Sequence, residues 1–79
     1  MKHSRDLEVI KAFGKRVRDL RTKMGLTQEE LANEANLEIS QINRIELGKI
    51  NTSVSVLFKI AEVLQIKPSE LLDVEGYDF

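Results

Sequence analysis

The sequence contains no cysteine and one histidine, His3, and these two scarcities remove most catalytic and metal-binding chemistry at once. Without cysteine there is neither a disulfide framework nor a thiolate metal site. With one histidine in a terminal segment, no Ser-His or Cys-His pair can be assembled and no cluster of the common metal ligands is in view. A lone terminal histidine is incidental far more often than it is a ligand. Glycine is scattered, at Gly14, Gly25, Gly48 and Gly76, so no glycine-rich phosphate loop can form. No apolar run is long enough for a membrane span, and Met1 to Arg5 show no signal-peptide pattern. The carboxylates are plentiful but fall on exposed helix faces and in the C-terminal tail. These absences lead to the expectation of a soluble cytoplasmic protein that is not an enzyme and needs no cofactor, metal or small-molecule ligand.

What is present suits one small domain. The chain has 79 residues, 42% of them hydrophobic, enough for a single compact core that would be marginal alone and would gain from dimerisation. The expected domain is 1–79, with a core over about 7–73 and loose tails at 1–6 and 74–79. The net charge is −1, which is low for a nucleic-acid binder, but its distribution is uneven. Met1 to Thr27 hold eight basic and three acidic residues, a net of +5, whereas Gln28 to Leu47 sum to −4. Gly48 to Pro68 return to +2, and Ser69 to Phe79 fall to −4. The acid can therefore lie away from a basic face.

Leu7, Ile10, Phe13, Val17, Leu20 and Met24 step by three or four residues, the apolar stripe of a helix from about Leu7 to Lys23. Gly14 inside it costs about 1 kcal/mol relative to alanine, and a close helix contact is the natural compensation. Thr27 followed by Glu30 spells a capping box, so a second helix starts at Gln28, with Leu31, Ala32 and Ala35 on its buried side. Asn36 tolerates the left-handed conformation that ends such a helix, and Leu37 can drop into the core at the turn. A third helix is expected from Ile39 to Leu47, capped by Glu38 and ended by Gly48. At about 100° per residue, Ile42 and Ile45 define its buried side. Ser40, Asn43, Arg44 and Leu47 then face outward, with Ile39 and Gln41 on the flanks. Such groups match base edges: arginine with guanine, amides with adenine, serine with either, and an aliphatic chain with a thymine methyl. The same pattern is also that of a plain solvated face, and taken alone it does not decide. Gln28 opens the second helix, where free amides and the dipole favour a phosphate.

Ser53 is the expected cap of a fourth helix reaching Leu64, with Leu57, Ile60, Ala61 and Leu64 as its core face. Val56 and Val63 lie off that face. With Phe58 and Ile66 they are candidates for a two-fold interface, or for packing beneath the extension of helix one. Lys67-Pro68 starts a fifth helix, whose Leu71 and Leu72 close the core.

Taken together, Phe13 to Arg21, Gly25 to Ala32, Ile42 to Lys49, Leu57 to Leu64 and Pro68 to Leu72 resemble the helix-turn-helix domain of the phage Cro and lambda-repressor-like (XRE) family, over about residues 12–73. The resemblance implies an all-α, compact five-helix DNA-binding domain. It implies that Arg21 pairs with Glu46, tying helix one to the reading helix, and that Gln28 touches the sugar-phosphate backbone and steadies its neighbours. Lys49, Asn51 and Thr52 are implied to lie along the DNA backbone, with Arg18 and Lys15 as possible helpers or plain solvated charges. The sequence departs from the family at three positions. Asn36 replaces the usual glycine. Glu38 replaces the usual serine, threonine or aspartate cap, which leaves the start of the reading helix open to fraying or a shift of one residue. Ile39 stands where a polar reading residue is common, which favours a methyl contact or an interface role.

The reading is a homodimeric, sequence-specific transcriptional regulator that binds double-stranded DNA at an approximate palindrome. Its proposed base-reading residues are Ile39, Ser40, Gln41, Asn43 and Arg44, and its phosphate-contacting residues Arg18, Gln28, Lys49, Asn51 and Thr52. Two alternatives stay open: an antitoxin that binds both DNA and a toxin protein, and a protein-interaction module of the same fold.

Overall fold

Hydrogen bonds at the helix ends set the architecture. In the computed structural model, which describes residues 2–74 and Gly76 (only the backbone of 2–5), the Thr27 amide donates to Glu30 Oε1 at 2.8 Å. The Glu30 amide returns the bond to Thr27 Oγ1 at 3.0 Å, closing the capping box. The described residues form five helices and no strand: α1 (Lys2–Lys23), α2 (Gln28–Glu34), α3 (Ile39–Glu46), α4 (Val54–Val63) and α5 (Pro68–Leu71). Ser53 caps α4 by accepting from the Val56 amide at 3.2 Å. Pro68 opens α5, and the Lys67 amide donates to Glu70 Oε1 at 3.0 Å.

The exits are equally defined. Asn36 takes φ +57° after α2, and the Leu37 amide reaches back to the Ala32 carbonyl at 2.8 Å. Gln65 does the same after α4 with φ +59°, and the Ile66 amide bonds the Ala61 carbonyl at 3.1 Å. No sequence cue marked Gln65, since glutamine has no special tolerance for that conformation.

Val17, Leu31, Ile42, Ile45, Ile60 and Leu71 are fully buried and form the centre of the core. Every helix thus contributes to one cluster. The molecule measures 36 × 22 × 21 Å, and the long dimension is α1, which at 1.5 Å per residue runs about 33 Å.

Four expectations need correction. Helix one begins at Lys2 rather than Leu7, so residues 2–6 are helical rather than a loose tail. Nothing from Lys2 to Asp6 stops a helix, since the segment holds neither proline nor glycine. Leu7 and Met24, at the two ends of the apolar stripe, are exposed because α1 overshoots the body it packs on. Val56 belongs to the core, while Leu57 is only partly buried. Helix α4 is apolar around most of its circumference, so its pattern could not choose the arc, and the observed arc is Val56, Ile60, Ala61 and Leu64. Leu72 is exposed because Leu71, about 100° away on the same short helix, takes the core position. At the other end, α3 starts at Ile39 without a shift, although Glu38 makes no side-chain capping bond, and it ends at Glu46 with Leu47 as the cap. Of the C-terminal tail, Glu75, Tyr77, Asp78 and Phe79 lie outside the described residues, as does the expectation that its aromatics dock.

Candidate nucleic-acid interface

Helix α3 is held from behind by α1. A Cβ at Gly14 would stand 2.9 Å from the Glu46 carbonyl oxygen and closer still to that of Ile45, so only glycine permits this approach. Gly48 plays the matching part beyond the helix, with φ +70°, and a Cβ there would meet Lys11 Cα at 2.9 Å. The Lys49 amide then closes α3 on the Arg44 carbonyl at 2.9 Å.

With Ile42, Ile45 and Glu46 turned inward, the outward face of α3 carries Ser40, Asn43 and Arg44, all exposed, with Gln41 partly buried at its edge. Ile39 and Leu47 bracket this face and are 49% and 52% exposed. Two large aliphatic side chains kept half in water, beside polar groups, suit a partner that offers both methyl groups and hydrogen-bonding edges.

The charged tie sits under this face. Arg21 Nε donates to Glu46 Oε2 at 2.6 Å and Nη2 to Oε1 at 2.9 Å, a bidentate pair with only 11% and 2% of the two side chains exposed. Arg21 Nη1 donates to the Leu26 carbonyl at 2.8 Å, so the arginine also holds the loop before α2. The guanidinium is raised above its ordinary pKa, chiefly by the hydrogen bond to Glu46 and further by the carboxylate's charge, with burial opposing. Arg21 therefore stays charged throughout any workable pH range.

Glu46 Oε1 takes a second donor, Gln28 Nε2 at 2.9 Å, and Gln28 Oε1 accepts from Asn43 Nδ2 at 3.4 Å. Four of the residues singled out from the sequence, Arg21, Gln28, Asn43 and Glu46, are thus joined in one network across α1, α2 and α3. Arg18, Arg44, Lys49 and Asn51 stand exposed apart from that network. Lys15 pairs with Asp19 at 3.1 Å on the surface, a contact worth less than about 1 kcal/mol.

Thr52 is placed differently from the expectation. Its hydroxyl oxygen is buried and has no hydrogen-bond partner, and the residue lines a cavity of about 130 Å³ with Val9, Phe13, Ile50 and Leu57. The side chain is therefore not displayed to a phosphate. The cause is Ile50 and Leu57, which draw the loop onto α1. Sequence reasoning also missed Arg16, whose Nε and Nη2 donate to the Glu70 carbonyl at 3.1 and 2.8 Å and pin α5 to α1. A carbonyl acceptor 54 positions away leaves no trace in a local pattern.

Among the described residues no helix is long and apolar enough to cross a membrane, and no group of three or more potential metal ligands occurs. Comparison with known proteins places residues 17–71 on the helix-turn-helix family. The control protein C.BamHI of Bacillus amyloliquefaciens is 40% identical over 62 residues, covering 77% of this chain and 76% of that protein. An uncharacterized HTH-type transcriptional regulator of Archaeoglobus fulgidus is 39% identical over 56 residues, 71% of this chain and 80% of its own length. Among solved structures, the restriction-modification controller protein C.AhdI from Aeromonas hydrophila superposes with a TM-score of 0.76 at 42% identity, covering 81% of this chain and 96% of that one.

Proposed function

The chain belongs to the Cro/repressor-like (XRE) helix-turn-helix family of DNA-binding transcriptional regulators, and from that premise we propose that it works as a homodimer whose two α3 helices enter successive major grooves. Half-site centres would then lie about 34 Å apart, one helical turn, on an approximate palindrome. The observation that carries this reading is the outward face of α3, where Ser40, Asn43 and Arg44 project between Ile39 and Leu47 from a backbone locked by Gly14 and the Arg21–Glu46 pair.

Base reading falls to Ile39, Ser40, Gln41, Asn43 and Arg44, with Ile39 and Leu47 offering methyl contacts. Arg18, Lys49 and Asn51 contact phosphates, as does the second N–H of Gln28 Nε2, at the first turn of α2. The dimer contact falls on the exposed part of α4, where Phe58 (55% exposed) stands beside Ile66. The controller names of C.BamHI and C.AhdI, relatives matched over most of their length, support a regulatory role. Such a protein acts in the cytoplasm by binding and not by catalysis. The test is selection from a random-sequence duplex pool at two salt concentrations. Recovery of a palindrome whose affinity falls with salt is the expected result; no enriched sequence at low salt would overturn the reading in favour of a protein-interaction module.

A further inference from the structure

The reading face contains one residue whose polarity is set from inside the protein. A side-chain amide can usually present either its oxygen or its nitrogen, but a carboxylate can only accept. Glu46, ionised and clamped by Arg21, therefore leaves Gln28 no choice: its Nε2 must point at Glu46 Oε1, and it does so at 2.9 Å. The Gln28 oxygen is then turned outward, where it can only accept. Asn43 meets it with Nδ2 at 3.4 Å. Asn43 Oδ1 accordingly faces away from the protein, and no described donor engages it.

We infer that Glu46, acting through Gln28, sets the amide orientation of Asn43 so that this residue presents an acceptor to the major groove and reads a base bearing an exocyclic amine, adenine or cytosine. The inference rests on the proposed entry of α3 into that groove and adds a rule of specificity to it. The second N–H of Asn43 Nδ2 stays available for adenine N7, so adenine can be held in two places. The corresponding oxo bases, guanine in place of adenine or thymine in place of cytosine, would set an oxygen against Oδ1, and the relay through Gln28 resists the flip that would relieve it. Asn43 is the reading residue, and Gln28 and Glu46 are positioning residues.

The test starts from the site that the wild-type protein selects out of a random duplex pool, and identifies the position whose preference Asn43→Ala erases. The amino base at that position is then exchanged for its oxo counterpart, A·T to G·C or C·G to T·A. Wild type is expected to lose about tenfold in affinity, the scale of one good base contact. In Gln28→Met, which removes the relay while keeping the side-chain length, the lost phosphate contact weakens both sites alike, but Asn43 can flip, and the ratio between the amino and oxo sites should shrink to about threefold or less. A merely structural role for Gln28 would weaken both sites alike and leave their ratio unchanged. The melting curve of Gln28→Met should match wild type, since Arg21 still satisfies Glu46.

Preference for an oxo base at the Asn43 position, no position that depends on Asn43, or undiminished discrimination in Gln28→Met would each overturn the inference. Failure of the wild-type protein to enrich any sequence would overturn the major-groove reading as well, so the two failures are distinguishable.

Discussion

Arg44 and Glu46 stand two positions apart on α3 and carry opposite burdens. Arg44 is exposed and its side chain bonds no described group, so truncating it leaves no orphaned partner. Arg44→Ala is expected to lower specific DNA affinity by about 1–3 kcal/mol, measured by titration on the selected site, with an unchanged melting temperature. Glu46→Ala, by contrast, strands the Arg21 guanidinium in a site where 11% of its side chain is exposed. The expected loss is about 3–5 kcal/mol of folding free energy, because a buried charge without its partner keeps the cost of desolvation. Each kcal/mol lowers the melting temperature of a domain this size by roughly 4–8 °C, so thermal unfolding reads the effect directly. A full-strength melting curve for Glu46→Ala would show that the pair is ornamental. Gly14→Ala tests the third kind of residue. Alanine gains about 1 kcal/mol in helix propensity. The new Cβ nevertheless strikes backbone carbonyls of Ile45 and Glu46, which cannot rotate away as a side chain would. Displacement of α3 and a net loss of about 1–3 kcal/mol are expected by chemical denaturation.

Legibility in the sequence varied from element to element for physical reasons. The start of helix α2 was readable to the residue because a capping box is a local, reciprocal hydrogen-bond pattern between Thr27 and Glu30. The buried and outward sides of α3 were readable because two isoleucines among polar neighbours leave one solution. The arc of α4 was not, since seven of its ten residues are apolar and only packing against α2 and α5 selects Val56 over Leu57. The start of α1 lacked any stop signal, and the Thr52 hydroxyl was drawn inward where Ile50 and Leu57 meet Val9 and Phe13 of α1, which are distant in sequence. In the site, the pairing of Arg21 with Glu46 came from family resemblance, whereas the link from Glu46 through Gln28 to Asn43 depends on how α2 meets α3 and had no local sequence signal. The exit of α4 is a further element the pattern could not show. Gln65 holds φ +59°, a conformation unfavourable for any residue with a Cβ, and ends the helix where Gly48 ends α3. Gln65→Gly is therefore expected to stabilise the fold by about 1 kcal/mol, read as a rise in denaturation midpoint at constant slope. A fall in midpoint would mean that the Gln65 side chain contributes more than its strained backbone costs.

At the scale of the whole molecule, charge and symmetry must together supply what one small domain cannot. A net charge of −1 is poor material for holding phosphates, and the basic residues are concentrated before Thr27 and after Leu47. A single subunit with few phosphate contacts would bind DNA weakly and with a shallow salt slope. Two subunits on one duplex change this, because the second half-site is bound intramolecularly and affinity can rise by about 10²–10⁴ with no new kind of contact. Such a gain requires a dimer face that is not needed for folding, and Phe58, 55% exposed beside half-buried Ile66, meets that condition. Phe58→Asp should accordingly keep the helical content and melting curve of a folded monomer. In sedimentation it should run at 9.0 kDa, where the proposed wild-type dimer should run at twice that mass. Its affinity for the selected palindrome should fall by at least about 100-fold, while its affinity for an isolated half-site stays close to that of wild type. If the variant still sediments as a dimer, the two-fold contact lies elsewhere on the surface. If it is monomeric yet binds the palindrome undiminished, each subunit reads DNA alone and the symmetry of the site has another origin.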